Sequence, residues 1–343
     1  MSSYKKIIPA LLIGVEIFII LNLLFQIYTN STHLFSSKST DLPLYRINFT
    51  ISPSNDPLLP CELKPNFEQK YDGEIARLPR ITTIKINSDG FRDREYLIDK
   101  PNNTFRIVVL GDSVTFGQGV ELNETYPKIL EKKLNALNNG INYEVLNFGV
   151  PGYNTIEEVE MYKNKGVKYN PDMIIIGFVH NDAENRTRME ELFDEIWKEY
   201  ENDTDKIKLS EQEREIEISI KVTQELEEET ANKPFKQVWK NVEIPLNDLS
   251  NITKTNNTKI LIITFFCSKQ QIDSLKKYAN EKRWHLIDSD EIFSPYPLQN
   301  ITVYYPKDSH PNPFANKLVG EKIYDYLMKN KIIPFKLEEF KNN

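Results

Sequence analysis

The sequence predicts an α/β protein: a parallel sheet with helices on both faces, preceded by one membrane-spanning helix. Three observations carry this expectation. From residue 105 onward, short apolar runs alternate with stretches of helical period, the rhythm of successive β-α-β units. The runs are rich in apolar residues, as expected of strands covered on both faces. Residues 7–28, IIPALLIGVEIFIILNLLFQIY, are long and apolar enough to cross a bilayer.

Lys5 and Lys6 precede that stretch, so residues 1–6 are expected as a cytoplasmic tail, with everything after Thr29 outside. A cleaved signal peptide is the competing reading. The stretch is too long for an ordinary signal core and no Ala-x-Ala site follows, which favours an uncleaved anchor. Glu16, mid-span, reads as protonated or tolerated. Residues 29–104 contain Pro43, Pro53, Pro57, Pro60, Pro65 and Pro79 and read as an extracytoplasmic stalk and cap, with a strand at 81–86 and a turn at 87–90.

Strands are expected at 105–110, 143–148, 172–178, 259–266 and 285–288. Helices are expected between and after them. One at 126–137 carries Pro127 in its first turn. One at 155–165 opens with Thr155-x-x-Glu158, a capping-box pattern. A third covers 270–283. The last, 312–328, is opened by Asn312-Pro313 and has Phe314, Leu318, Val319 and Ile323 on its apolar face. The main domain then spans 105–330, with a tail at 331–343. Residues 183–257, rich in Glu and Lys, interrupt the rhythm as an insertion at the sheet's active edge. A lid and a solvated helical excursion are both open readings.

Composition excludes some partners. Among 343 residues, 43 Lys and Arg face 50 Asp and Glu, a formal charge of -7. Basic residues do not cluster beyond the N-terminus, so nucleic acid is not an expected partner. Cys61 and Cys267 could form one disulfide outside the cytoplasm, or Cys267 could be a small buried thiol. No Cys/His spacing suits a metal, and no cofactor is expected. Nine sequons, at Asn30, Asn48, Asn102, Asn123, Asn185, Asn202, Asn251, Asn256 and Asn300, make glycosylation possible where the machinery exists.

The chemistry is carried by Gly111-Asp112-Ser113-Val114-Thr115-Phe116-Gly117, directly after the first apolar run. A buried strand, a tight turn and a serine at its tip is the way a weak nucleophile is presented to a substrate. Such a serine needs a base, an orienting acid and donors for an oxyanion. Of the histidines, His33 lies in the stalk and His285 opens a strand. His180 adjoins Asn181. His310, in the loop before the last helix, can reach Ser113, with Asp308 close enough to orient it. Asp288 and Asp290 are alternative acids. For the oxyanion, the loop 147–152 offers the Gly149 amide and the loop 177–182 offers Asn181. Asp112 reads as stabilising its own turn. Loops following parallel strands converge on one edge of the sheet.

Ser113, Gly149, Asn181 and His310, each in its own block and in this order, resemble the SGNH hydrolases, also called GDSL-type esterases and lipases. Gly111-Asp112-Ser113 with Gly117, Asn147-Phe148-Gly149, Asn181-Asp182 and Asp308 to Pro311 carry the resemblance, which runs from about Phe105 to Leu327 apart from the insertion. Asn87-Ser88-Asp89-Gly90-Phe91-Arg92 is similar to a segment that precedes the first block in many microbial members. The resemblance implies a flavodoxin-like three-layer α/β/α fold. It also implies Ser113 as nucleophile, His310 as base, and the Ser113 amide, Gly149 and Asn181 as oxyanion donors, with no metal. The acid of the commonest pattern falls on Lys307. Asp308, two residues before the histidine, follows the spacing of SGNH-type polysaccharide O-acetyltransferases and O-acetylesterases. The expected function is a membrane-anchored serine esterase acting on acyl esters, with an acylated cell-surface glycan or lipid as the candidate substrate. An O-acyltransferase and a non-catalytic glycan-binding protein on a retained hydrolase fold are the alternatives.

Overall fold

The computed structural model describes residues 51–54, 56, 58–71, 81–183, 186–203, 206–208, 218, 221, 225, 238–304 and 308–334. The predicted anchor at 7–28, His33 and parts of the 183–257 stretch, including 209–217 and 226–237, lie outside these residues. Among the described residues, no helix is long and apolar enough to cross a membrane. The chain divides into two units, residues 50–186 with 226–343, and residues 1–49 with 187–225. In the latter the helix Arg186–Asn202 buries Leu192 and Ile196.

The larger unit begins with two antiparallel strand pairs. β1 (Ile51–Pro53) pairs with β2 (Cys61–Leu63), and β3 (Glu68–Tyr71) with β4 (Thr82–Lys85), the last inside the expected strand at 81–86. Cys61 and Cys267 are both buried, and no disulfide joins them.

The central sheet contains β5 (Thr104–Gly111), β6 (Asn142–Gly149), β7 (Met173–Val179), β8 (Lys259–Phe265) and β9 (His285–Asp288). Its order is β6-β5-β7-β8-β9 and every pairing is parallel. In chain order this is second, first, third, fourth, fifth, the doubly wound arrangement whose switch point lies beside the first strand. Strands β5 and β7 are buried along their whole length, which is why they read as largely apolar runs. The helices Tyr126–Asn135 and Pro313–Lys329 pack together, as do Thr155–Met161 and Lys240–Lys254. Lys240–Lys254, at the end of the 183–257 stretch, is the crossover helix leading into β8.

Two local expectations change. The helix at 155 is capped by Asn154, whose side chain accepts from the amides of Ile156 and Glu157 while Glu157 answers the Asn154 amide. The capping box sits one residue earlier than Thr155-x-x-Glu158, and Glu158 turns inward. On the last helix the buried face is Ala315, Asn316, Val319, Gly320, Ile323 and Leu327, whereas Phe314 is exposed, one step around the helix.

The register places three glycines side by side at the carboxyl edge: Gly149 opposite Gly111, and Gly111 opposite Gly177. A Cβ at Gly149 would lie 2.1 Å from the Phe116 nitrogen, and one at Gly111 or Gly177 would lie 2.0 or 2.5 Å from the Thr115 hydroxyl. The row is bare so that the turn after β5 can rest on the sheet edge.

Candidate active site

That turn is a single helical turn, Ser113–Phe116, with Ser113 at its first position. Asp112 caps it, its Oδ1 accepting from the Val114 amide at 2.8 Å. Gly117, at φ 85°, closes it, its amide donating to the Ser113 carbonyl at 3.0 Å. Only glycine adopts that conformation without steric cost. Thr115 Oγ1 lies 2.7 Å from the Tyr126 hydroxyl, tying the turn to the next helix.

His310 arrives from the other end of the chain. It lies on β11 (Asp308–Pro311), which pairs antiparallel with β10 (Thr302–Tyr304). The sequence reading had only a loop here. Asn312 follows, accepting from the Ala315 amide at 3.0 Å to cap the last helix. Asn316 then fastens this helix to the nucleophile side. It accepts from the Tyr126 amide at 3.0 Å and donates to the Pro311 carbonyl at 2.9 Å. The result is a contact across 197 residues: His310 Nε2 lies 2.8 Å from Ser113 Oγ. Both residues are half-buried.

Asp308 lies on β11, but its side chain is outside the described positions. Asp288, an alternative acid, is paired with Lys276 at 2.9 Å. His285 lies 3.4 Å from the Tyr326 hydroxyl at the start of β9.

Asp112 is buried beside the serine. Burial pushes its carboxyl above the ordinary aspartate value, opposed by the Val114 amide, by His310 and His180, and by a hydrogen bond from the Asn181 side chain. Asn181 is thereby placed at the Ser113 turn, on the residues His180–Ala183 that follow β7. The exposed His180 belongs to the same cluster. Near Asp112 lies the buried Glu158, neither of whose carboxyl oxygens has a hydrogen-bond partner among the described residues. Burial, then the charges of Asp112 and Glu157, hold it well above the usual carboxylate range.

The expectation for Gly149 is corrected. Its amide donates to Asn147 Oδ1 at 2.9 Å, inside the sheet. Its function is close packing against the nucleophile turn. The loop beyond it is a tight turn. The Tyr153 amide donates to the Val150 carbonyl at 3.2 Å, so residues 150–153 form a β-turn with Pro151 and Gly152 at its centre. Gly152 is exposed and has φ 79°. Pro-Gly at the two central positions is the signal of a type II turn and was legible in the sequence. Among the described residues, no group of three or more His, Cys, Asp or Glu side chains is placed to hold a metal ion.

A serine whose hydroxyl meets an imidazole at the carboxyl edge of a doubly wound sheet defines the class of serine hydrolases. The family model described as GDSL-like Lipase/Acylhydrolase matches residues 107–323. The chain belongs to that family, within the SGNH hydrolases, and is a serine hydrolase acting on ester bonds. No curated protein matches the chain. Among solved structures it is similar to a putative lipolytic protein of the G-D-S-L family from Desulfitobacterium hafniense, at 15% identity over 64% of this chain and 98% of that one, TM-score 0.41. It is similar also to the psychrotrophic esterase EstA from Pseudoalteromonas, at 15% identity over 68% and 100%, TM-score 0.44. A third is a family 3 carbohydrate esterase from Clostridium thermocellum, at 13% identity over 66% and 96%, TM-score 0.42.

Proposed function

We propose that the protein is a membrane-anchored, extracytoplasmic esterase that hydrolyses acyl esters through Ser113 and His310, with Asp308 as the orienting acid. The observation that carries the proposal is the 2.8 Å contact between His310 Nε2 and Ser113 Oγ. Ser113 Oγ attacks the ester carbonyl as His310 Nε2 takes its proton. The carbonyl oxygen, now an oxyanion, is met by the Ser113 amide and the Asn181 side chain. Collapse breaks the bond to the alcohol, which leaves with the proton from His310. Water then gives a proton to His310, attacks the acyl-enzyme, and releases the acid and free Ser113. Asp308 would hold His310 in the tautomer whose Nε2 accepts.

The span at 7–28, flanked by Lys5 and Lys6, supports an anchor with the hydrolase domain outside. An acylated cell-surface glycan or lipid is a substrate within its reach. The Asp308-x-His310 spacing supports a second reading, in which a sugar hydroxyl replaces water as acceptor. Purified protein incubated with acetylated and long-chain model esters, with and without sugar acceptors, tests both. Release of free acid at a rate unaffected by sugar supports hydrolysis. Formation of new sugar ester at the expense of free acid supports transfer, and no turnover of any ester by a folded protein refutes both.

A further inference from the structure

Two charged neighbours just before the family-matched residues make an unusual set of contacts. Arg92 is fully buried. Its Nη1 donates to the carbonyls of Phe116 at 3.0 Å and Gly117 at 2.6 Å. Its Nη2 donates to Val120 at 2.7 Å and Thr83 at 3.2 Å. The guanidinium also lies 4.9 Å from the centre of the Phe116 ring. Three of the four carbonyls belong to the end of the nucleophile turn and the loop leaving it. A four-residue helix cannot hold itself, because its nucleation cost is not recovered and its last carbonyls have no partner in the helix. The planar fork of an arginine is suited to gathering several such carbonyls at once.

Asp93 acts on the other side of the same turn. It is buried, and its Oδ2 accepts from the Asn147 amide at 2.9 Å. Lys128 Nζ approaches both oxygens, at 2.9 and 3.0 Å, and the Tyr96 hydroxyl donates to Oδ1 at 3.1 Å. The Asn147 side chain then donates to the Thr115 carbonyl at 2.8 Å and accepts from the Gly149 amide at 2.9 Å. Asp93 therefore reaches the middle of the nucleophile turn, and the glycine edge it rests on, through one side chain.

The segment that carries the pair is itself fixed. Asn87 Oδ1 accepts from the Phe91 amide at 2.8 Å, and its Nδ2 donates to the Arg94 carbonyl at 3.0 Å. The Phe91 ring stacks on Phe148 of β6 at 3.8 Å.

We infer that Arg92 and Asp93 are positioning residues for the reaction: a brace, built outside the family-matched region, that sets where Ser113 stands relative to His310. Arg92 holds the end of the nucleophile turn, and Asp93 holds its middle through Asn147. This rests on Ser113 being the nucleophile. An error of about 1 Å in a reacting group can cost on the order of 10² in rate, so a brace of this kind is visible in turnover.

The test is Arg92→Lys beside Arg106→Lys. Arg106 is the control. It is also fully buried and donates to the carbonyls of Ile98, Tyr169 and Leu97, and it pairs with Glu144 at 2.7 Å, but it sits near the start of β5, at the end of the sheet away from the site. Lysine keeps the charge in both but cannot span the carbonyls. Ester turnover is compared per folded molecule, well below the unfolding temperature, together with hydrogen exchange of the amides at 113–118. Arg92→Lys should lower kcat by roughly 10- to 100-fold with KM within about three-fold, and should speed exchange at 116–118. Arg106→Lys should lose stability with kcat and those amides unchanged. An unchanged kcat in folded Arg92→Lys, or an equal fall in Arg106→Lys, would overturn the inference. Should Arg92→Lys not fold, Asn147→Ser removes the amide side chain that links to the Thr115 carbonyl and the Gly149 amide, and should lower kcat about ten-fold on the same grounds. Normal kcat there, or failure of both variants to fold, also overturns it. The exchange measurement needs no catalysis. A wild-type protein without esterase activity would therefore count against the Ser113 assignment, while the exchange data would still decide the brace.

Discussion

Replacing Gly149 by alanine adds one methyl group at the place where the sheet edge supports the nucleophile. The new Cβ would lie 2.1 Å from the Phe116 nitrogen, 2.6 Å from the Thr115 carbonyl carbon and 2.7 Å from the Phe116 Cα. All three are backbone atoms, so no side chain can swing away. Ordinary contact begins near 3.4 Å, so the turn must lift by about 1.3 Å or β6 must bend. Overpacking of a tight interior typically costs about 1–3 kcal/mol. The lift is also comparable to the 1 Å misplacement that costs about 10² in rate, because Ser113 stands on that turn while His310 comes from a separate hairpin. Gly149→Ala should therefore unfold at a lower temperature and, where folded, show kcat reduced at least about 10²-fold with little change in KM. Thermal unfolding followed by circular dichroism and steady-state hydrolysis of a short model ester supply the two readouts. Alanine retains the amide N–H, so the loss would come from displacement and not from a missing donor. A folded Gly149→Ala protein with kcat within about three-fold of wild type would refute the claim that this glycine seats the turn.

Asn181→Ala should lower kcat by about 10²–10³ with KM little changed, as loss of one oxyanion donor does. A change in KM alone would make Asn181 a substrate-binding residue instead. Glu158→Gln should stabilise the protein at neutral pH. The folded carboxyl is held above its ordinary value of 4.5 by burial and by Asp112. The folded state therefore keeps a proton that the unfolded chain gives up, and stability falls as pH rises past the unfolded value, by up to about 1.4 kcal/mol per pH unit. Urea unfolding between pH 5 and 8 should show a shallower decline in Glu158→Gln than in wild type, and parallel lines would refute the assignment. Asp308→Asn should fold normally but lose up to about 10⁴ in kcat by favouring the wrong tautomer of His310. Near-normal kcat would point to a serine–histidine dyad or a different acid.

The central strands were legible because each is short, largely apolar and bounded by polar turns, so the five expected runs match β5 to β9 within a residue or two at each end. Ser113 and His310 were legible because their positions follow from the order of strands and loops. Register was harder. Asn154 and Thr155 are both good caps, and only the docking of the helix decides between them, which moved the box by one residue and left Glu158 inside. Gly149 looked like a donor because glycine permits close approach. The structure uses that freedom for packing, and the amide is taken by Asn147. The brace could not be read at all. Arg92 and Asp93 look like surface charges, and the partners that tie them to the nucleophile turn and β6 stand 24 to 54 residues away. Hydrogen bonds over such separations leave no local period in a sequence.

The contact between Ser113 and His310 is tested most directly by reaction with a fluorophosphonate, followed by mass spectrometry of the whole protein and its peptides. The wild-type protein should gain one phosphonyl group, on Ser113. His310→Ala should react more slowly by about 10²–10⁴, the usual contribution of a general base, and Ser113→Ala should gain none. Labelling at another residue, or an equal rate in folded His310→Ala, would contradict the assignment of this pair as nucleophile and base.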